Sequence, residues 1–118
     1  MIIKNGLVFQ EDGSFVKKDL YIENGRLAAS EAEVSDKTEY DAEGLKVLPG
    51  LVDVHSHGAF GHDFCDADPE GLKVILKYEK EHGITSYCPT SMTLAKDRLM
   101  DIFATATKVE PDDKLARI

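Results

Sequence analysis

The chain holds 118 residues, with 14 Lys and Arg against 22 Asp and Glu, for a net charge of −8. Its 42% hydrophobic and 31% charged content fits a folded domain rather than a disordered tail, and a chain of this size buries about two-thirds of its surface without a disulfide framework. The acidic balance, with Lys17-Lys18 as its densest basic cluster, argues against nucleic acid and anionic membrane as partners. No apolar run nears the ~18 residues of a membrane span, and the start, MIIKNGLVF, lacks the apolar stretch of a signal peptide. Cys65 and Cys88 form no CxxC pattern, which suits reduced thiols and a cytoplasmic location.

Residues 1–49 read as β. Met1-Ile2-Ile3 and Leu7-Val8-Phe9 are short apolar strands around Asn5-Gly6, and Asp12-Gly13 marks a turn. Asp19–Glu23 follows as a strand, then Asn24-Gly25, a strong hairpin signal, then Arg26–Ala29. Residues 30–44 are polar and weakly patterned, and Leu45–Leu48 is a further strand. Short strands with frequent turn signals predict a small sandwich or meander.

The pattern changes at residue 50. Gly50-Leu51-Val52-Asp53-Val54-His55 is apolar on both faces, which predicts a buried, parallel strand. Gly58 and Gly61 open a loop. Asp68-Pro69 starts a helix as N-cap and first helical residue, Leu72, Ile75 and Leu76 give it an apolar stripe, and Gly83 ends it. Ile84–Cys88 reads as a second strand stopped by Pro89. A second helix starts near Thr93 or Leu94, with Leu99, Ile102, Phe103, Ala106 and Val109 at helical spacing, and Pro111 closes it. Lys114–Ile118 resembles the approach to a third strand. The order β-loop-α-β-loop-α-(β) is that of a parallel α/β fold.

His55-Ser56-His57 is the sharpest chemical feature. Residues i and i+2 of a strand share a side, and neutral imidazoles suit zinc and similar cations. Spacing alone is equally met by two surface histidines at a strand end. Their place, between an apolar strand and a glycine-rich loop, favours function, because active-site residues of parallel α/β folds collect at the C-terminal ends of strands. Asp53 shares their face by the same period, either to orient a ligand histidine or to accept backbone N–H groups. A catalytic zinc usually takes three protein ligands, so two histidines do not complete a site. His62, on the following loop with Asp63, is a candidate substrate contact or a solvated loop residue. His82 falls at a helix end and reads as structural. Cys65 and Cys88 lack a neighbouring base, which argues against a nucleophile. No residue of the chain stands out as a catalytic acid, base or nucleophile.

Residues 49–66, PGLVDVHSHGAFGHDFCD, resemble the first barrel strand and loop of the amidohydrolase superfamily. Within it they are most similar to the N-acetylglucosamine-6-phosphate deacetylase family. The shared features are Pro49-Gly50, Asp53, His55 and His57, Gly58 and Gly61, and Phe64-Cys65-Asp66, followed by the GxTxxxPT pattern of Gly83–Thr90. The resemblance implies a small β-sandwich piece over 1–49, and over 50–118 the first two βα units of an incomplete (β/α)8 barrel, a fold that needs about 250 residues. It also implies His55 and His57 as ligands of a divalent metal, zinc before iron, cobalt or nickel. The activity it implies is hydrolysis of N-acetylglucosamine 6-phosphate, an amino-sugar phosphate, to glucosamine 6-phosphate and acetate. In the family a glutamate in an EGP-type motif, two further histidines and an aspartate acid/base come later, so the resemblance makes this chain an N-terminal fragment, inactive alone and given to homo-oligomerisation or self-association. Two alternatives stand beside it: another hydrolase of the superfamily, like a dihydroorotase, hydantoinase or isoaspartyl dipeptidase, and a standalone metal-binding or interaction module.

Overall fold

A computed structural model describes all 118 residues. The chain divides into two compact units, Met1–Pro49 and Gly50–Ile118.

The first unit is one five-stranded mixed sheet. Strand β1 (Ile2–Phe9) pairs antiparallel with β2 (Phe15–Glu23), and β2 with β3 (Arg26–Ala28). Asn24 and Gly25 both have positive φ, 50° and 72°, the geometry of the tight hairpin turn that their sequence predicts. The two short strands expected around Asn5-Gly6 are one strand with a kink. The β1–β2 register slips between Ile3 and Gly6, and Asn5 adopts φ 60°, a left-handed conformation that Asn tolerates. The kink is tied from both sides: Asn5 N–H donates to Asp19 Oδ1 at 2.9 Å, and Asn5 Nδ2 to Asp41 Oδ1 at 3.0 Å. Gly6 then lets the next strand close in, since a Cβ there would lie 2.6 Å from Val47 Cγ2.

The other edge of β1 is shared by two short parallel strands. β4 (Glu39–Asp41) pairs with Ile2–Lys4, and β5 (Lys46–Val47) with Leu7 and Val8. β4 lies in the polar, weakly patterned stretch 30–44. Its three residues are exposed, so no apolar alternation marked it. The antiparallel meander β3-β2-β1 matches the expectation, and all five strands of residues 1–49 lie in one sheet.

The second unit is built on the parallel pair β6 (Leu51–Ser56) and β9 (Ile84–Pro89). Between them come a small hairpin, β7 (Gly58–Ala59) with β8 (His62–Asp63), and helix α1 (Pro69–Glu81). α1 starts as predicted, with the Asp68 carboxylate accepting the N–H groups of Glu70 and Gly71 and Pro69 in the first position. His82 caps its end and Gly83 follows at φ 85°. Helix α2 (Lys96–Ala106) begins two to three residues later than expected and has no side-chain cap. Arg117 forms a parallel bridge to Ser86, with Tyr87 N–H donating to its carbonyl at 2.7 Å, so the approach to a third strand lies where the sequence suggested. Phe64, Leu72, Ile75, Leu76, Tyr87, Ile102 and Ala116 form the core.

One expectation is corrected. β6 is parallel but is not buried. Leu51, Val52 and Val54 are exposed, Val54 to 71%. The apolar character on both faces was read correctly, but in this unit α1 and α2 pack their apolar stripes around Tyr87 of β9 and leave these β6 side chains uncovered.

Candidate metal centre

His55 lies near the end of β6 and His57 just beyond it. Their ring centres are 5.3 Å apart with the planes at 90°. Two imidazoles on one tetrahedral ion hold their nitrogens about 2.0–2.1 Å from it, which with roughly 1.2 Å from nitrogen to ring centre separates the centres by about 5.2 Å. The spacing fits a shared divalent cation. His57 Nδ1 also lies 2.8 Å from the Thr90 carbonyl, so one nitrogen is occupied by a hydrogen bond and Nε2 is left for a ligand. His55 is exposed and His57 half-buried. No group of three or more His, Cys, Asp or Glu side chains comes together to hold a metal, so further ligands are not gathered among these residues.

The strict alternation that put Asp53 beside the histidines does not survive. The β6–β9 register slips between Asp53 and Ser56, a bulge of the kind common beside functional sites. Asp53 Oδ1 accepts the N–H of His55 at 2.9 Å, the backbone contact that was one of its two open roles. Its charge also acts on α1: burial first, and Asp53 second, push the Glu79 carboxyl above the ordinary glutamate range.

His62 is half-buried in β8. Its ring lies against the first turn of α1, where a Cβ on Gly71 would be 2.6 Å from His62 Nδ1. Asp63 and Asp66 cap the short helical turn Phe64–Asp66 reciprocally, so Asp63 serves the loop's backbone. His82 Nδ1 bonds the Tyr78 carbonyl at 2.8 Å, the structural end-cap expected of it. Cys65 and Cys88 are free thiols, and Cys65 Sγ accepts the Met92 N–H at 3.2 Å.

Two contacts escaped the sequence reading. Arg98 Nη2 donates to the carbonyls of Cys65 at 2.6 Å and Asp66 at 3.2 Å, pinning the loop after β8 to α2. Tyr87, buried in the core, donates its hydroxyl to the Ser56 carbonyl at 3.0 Å. Burial pushes its phenol above the usual range. The sequence put Tyr87 on the second strand and Thr90 just past its end, but no spacing rule says that this strand's end reaches His57.

No family model matches the chain. Curated relatives do. It is 33% identical over 90 residues to N-acetylglucosamine-6-phosphate deacetylase of Bos taurus, which covers 69% of this chain and 22% of the relative. Against the same enzyme of Lysinibacillus sphaericus it is 30% identical over 99 residues, 82% of this chain and 26% of the relative. A dihydroorotase of Listeria innocua is 43% identical over 58 residues, 48% of this chain and 14% of the relative. Among solved structures, N-acetylglucosamine-6-phosphate deacetylase from Pasteurella multocida superposes with a TM-score of 0.77 at 20% identity, over 91% of this chain and 29% of that one. The chain spans about a quarter of the length of the deacetylases it matches. In sequence and in fold it corresponds to the N-terminal portion of an N-acetylglucosamine-6-phosphate deacetylase.

Proposed function

We propose that these residues are part of a metal-dependent hydrolase that removes the acetyl group of N-acetylglucosamine 6-phosphate, with His55 and His57 as two of its metal ligands. The observation that carries the reading is the imidazole pair at the end of β6, 5.3 Å between ring centres, in a stretch matched by the deacetylases. A divalent cation, zinc first among the candidates, supplies positive charge that acidifies water and polarises a carbonyl. The work of this chain is to present two nitrogen donors on a rigid strand end. The Asp53 carboxylate fixes the backbone at His55, and the Thr90 carbonyl holds the His57 ring. His62, on the loop that follows the pair, is the candidate for a contact to the sugar phosphate.

On the same reading, residues 1–49 belong to a small β-sandwich domain, and β6-α1-β9-α2 opens a (β/α)8 barrel. The uncovered Val52 and Val54 support association with further strands or with a second copy. The free thiols support a reducing, cytoplasmic setting. No helix is long and apolar enough to cross a membrane. A second reading, hydrolysis of a cyclic amide such as dihydroorotate, is favoured by the shorter but more identical dihydroorotase match.

The test uses the protein encoded by the whole reading frame that contains these residues. Metal-dependent acetate release from N-acetylglucosamine 6-phosphate is expected, and hydrolysis of dihydroorotate alone would favour the second reading. Replacing both His55 and His57 by Ala is expected to lower the bound metal measured by atomic emission. Unchanged stoichiometry in that double variant would remove the pair from the site.

A further inference from the structure

Four polar contacts converge where β6 ends beside β9. The Ser56 carbonyl accepts two donors, the Thr90 N–H at 2.9 Å and the Tyr87 hydroxyl at 3.0 Å. The His57 Nδ1 lies 2.8 Å from the Thr90 carbonyl. The Thr90 hydroxyl turns back to the Cys88 carbonyl at 3.3 Å. Thr90 thus grips Ser56-His57 at two points, giving its N–H to the backbone and its carbonyl to the ring. Tyr87 adds a third bond from the core, where it is 1% exposed and its ring is immobilised by packing.

The chemistry of the acceptor decides the ring's protonation pattern. A carbonyl oxygen only accepts, so the nitrogen facing it must carry the hydrogen. In the neutral ring, His57 is therefore the Nδ1–H form, with the lone pair on Nε2. The choice is made by the Thr90 backbone just past β9, before any ligand arrives. A ligand that binds Nε2 then finds the nitrogen ready and meets no cost of tautomer exchange or ring rotation, which is how outer hydrogen bonds raise the affinity of a metal-binding histidine.

We propose that Tyr87 is a positioning residue for the metal site: through the Ser56 carbonyl it fixes the peptide that precedes His57, and with the Thr90 carbonyl it holds that imidazole in the Nδ1–H form with Nε2 free. The metal half of this statement rests on the proposed function; the ring geometry does not.

The experiment reads the two halves separately in the protein encoded by the whole reading frame that contains these residues. Two-bond proton–nitrogen correlation on histidine-labelled, metal-free protein reports the tautomer of His57, with the exposed His55 ring and the end-capping His82 as internal references. His57 is expected wholly as Nδ1–H. With the ring neutral, hydrogen on Nε2 in place of Nδ1, or an averaged ring, would overturn the proposal with no variant needed. Tyr87→Phe keeps the ring in the core and deletes only the hydroxyl. It is expected to move His57 toward an averaged signal and to weaken zinc binding roughly tenfold, while His82 stays unchanged. A variant that leaves both the His57 signal and the zinc titration unmoved would remove Tyr87 from the role. Fixed His57 in a chain that takes up no zinc would support the clamp and count against the metal reading, so the two failures are distinguishable.

Discussion

The two units hold themselves together by different means. In Met1–Pro49 the turns and kinks are tied by carboxylates. Asp19 takes the N–H of the Asn5 kink, Asp41 its side-chain amide, Glu23 both the N–H and the hydroxyl of Ser35, and Asp36 those of Thr38. Few large side chains are buried there: Ile2, Val8 and Val34. In Gly50–Ile118 the order is reversed. A continuous core under α1 and α2 carries the fold, and one carboxylate, Glu79, is drawn into it against its preference. A sheet short of apolar cover is held by charge at its edges, and a βαβ unit by what lies beneath its helices.

The largest effect should come from opening the second unit's core. Ile75 is fully buried in α1, and Ile75→Ala is expected to cost about 2–5 kcal/mol. Amide exchange resolved by residue should show the loss within 50–118 while 1–49 keeps its protection. Equal loss in both would break the contrast. Asp68→Ala removes the cap of α1 and is expected to cost about 1 kcal/mol, visible as faster exchange at Glu70 and Gly71. An unchanged rate there would mean that the Asp68 carboxylate contributes nothing to the helix start.

Acid should act on the units with opposite signs, and more gently. Hydrogen bonds to Asn5, Ser35 and Thr38 hold Asp19, Glu23, Asp36 and Asp41 below the usual carboxylate range. Their folded values lie under the unfolded ones, so their contribution is full above the ordinary range and is lost as pH falls through the depressed values. Glu79 is raised by burial and by Asp53. Its folded form prefers the proton, so its cost is absent below the ordinary glutamate range and grows as pH rises toward the raised value. Lowering pH from neutral to that range should relieve the second unit, lowering it further through the depressed values should weaken the first, and Glu79→Gln should flatten the second unit's response. A parallel response of both units would sink the distinction.

What the sequence could reveal followed from how far apart the deciding residues are. Asn24-Gly25, Asp68-Pro69 and Gly83 act on their own neighbours, and each stands where reading it predicts. β4 was missed because its exposed Glu39-Tyr40-Asp41 carries no alternation, and its pairing is with β1, far away in the chain. The bulge at Asp53 was also hidden: period-two reasoning assumes a regular ladder, and the slip depends on how β6 meets β9. The His55–His57 pair was legible as a motif. The contact that orients one of its rings was not, because Thr90 stands 33 residues beyond His57.

That distance has a kinetic meaning. A helix such as α1 forms in about a microsecond or less, whereas joining β6 to β9 must first meet the entropy of closing the intervening chain. The His57 ring can take its fixed orientation only after this closure. Ordering of that one imidazole during refolding is therefore a clock for the arrival of β9, and it should run behind the appearance of helix.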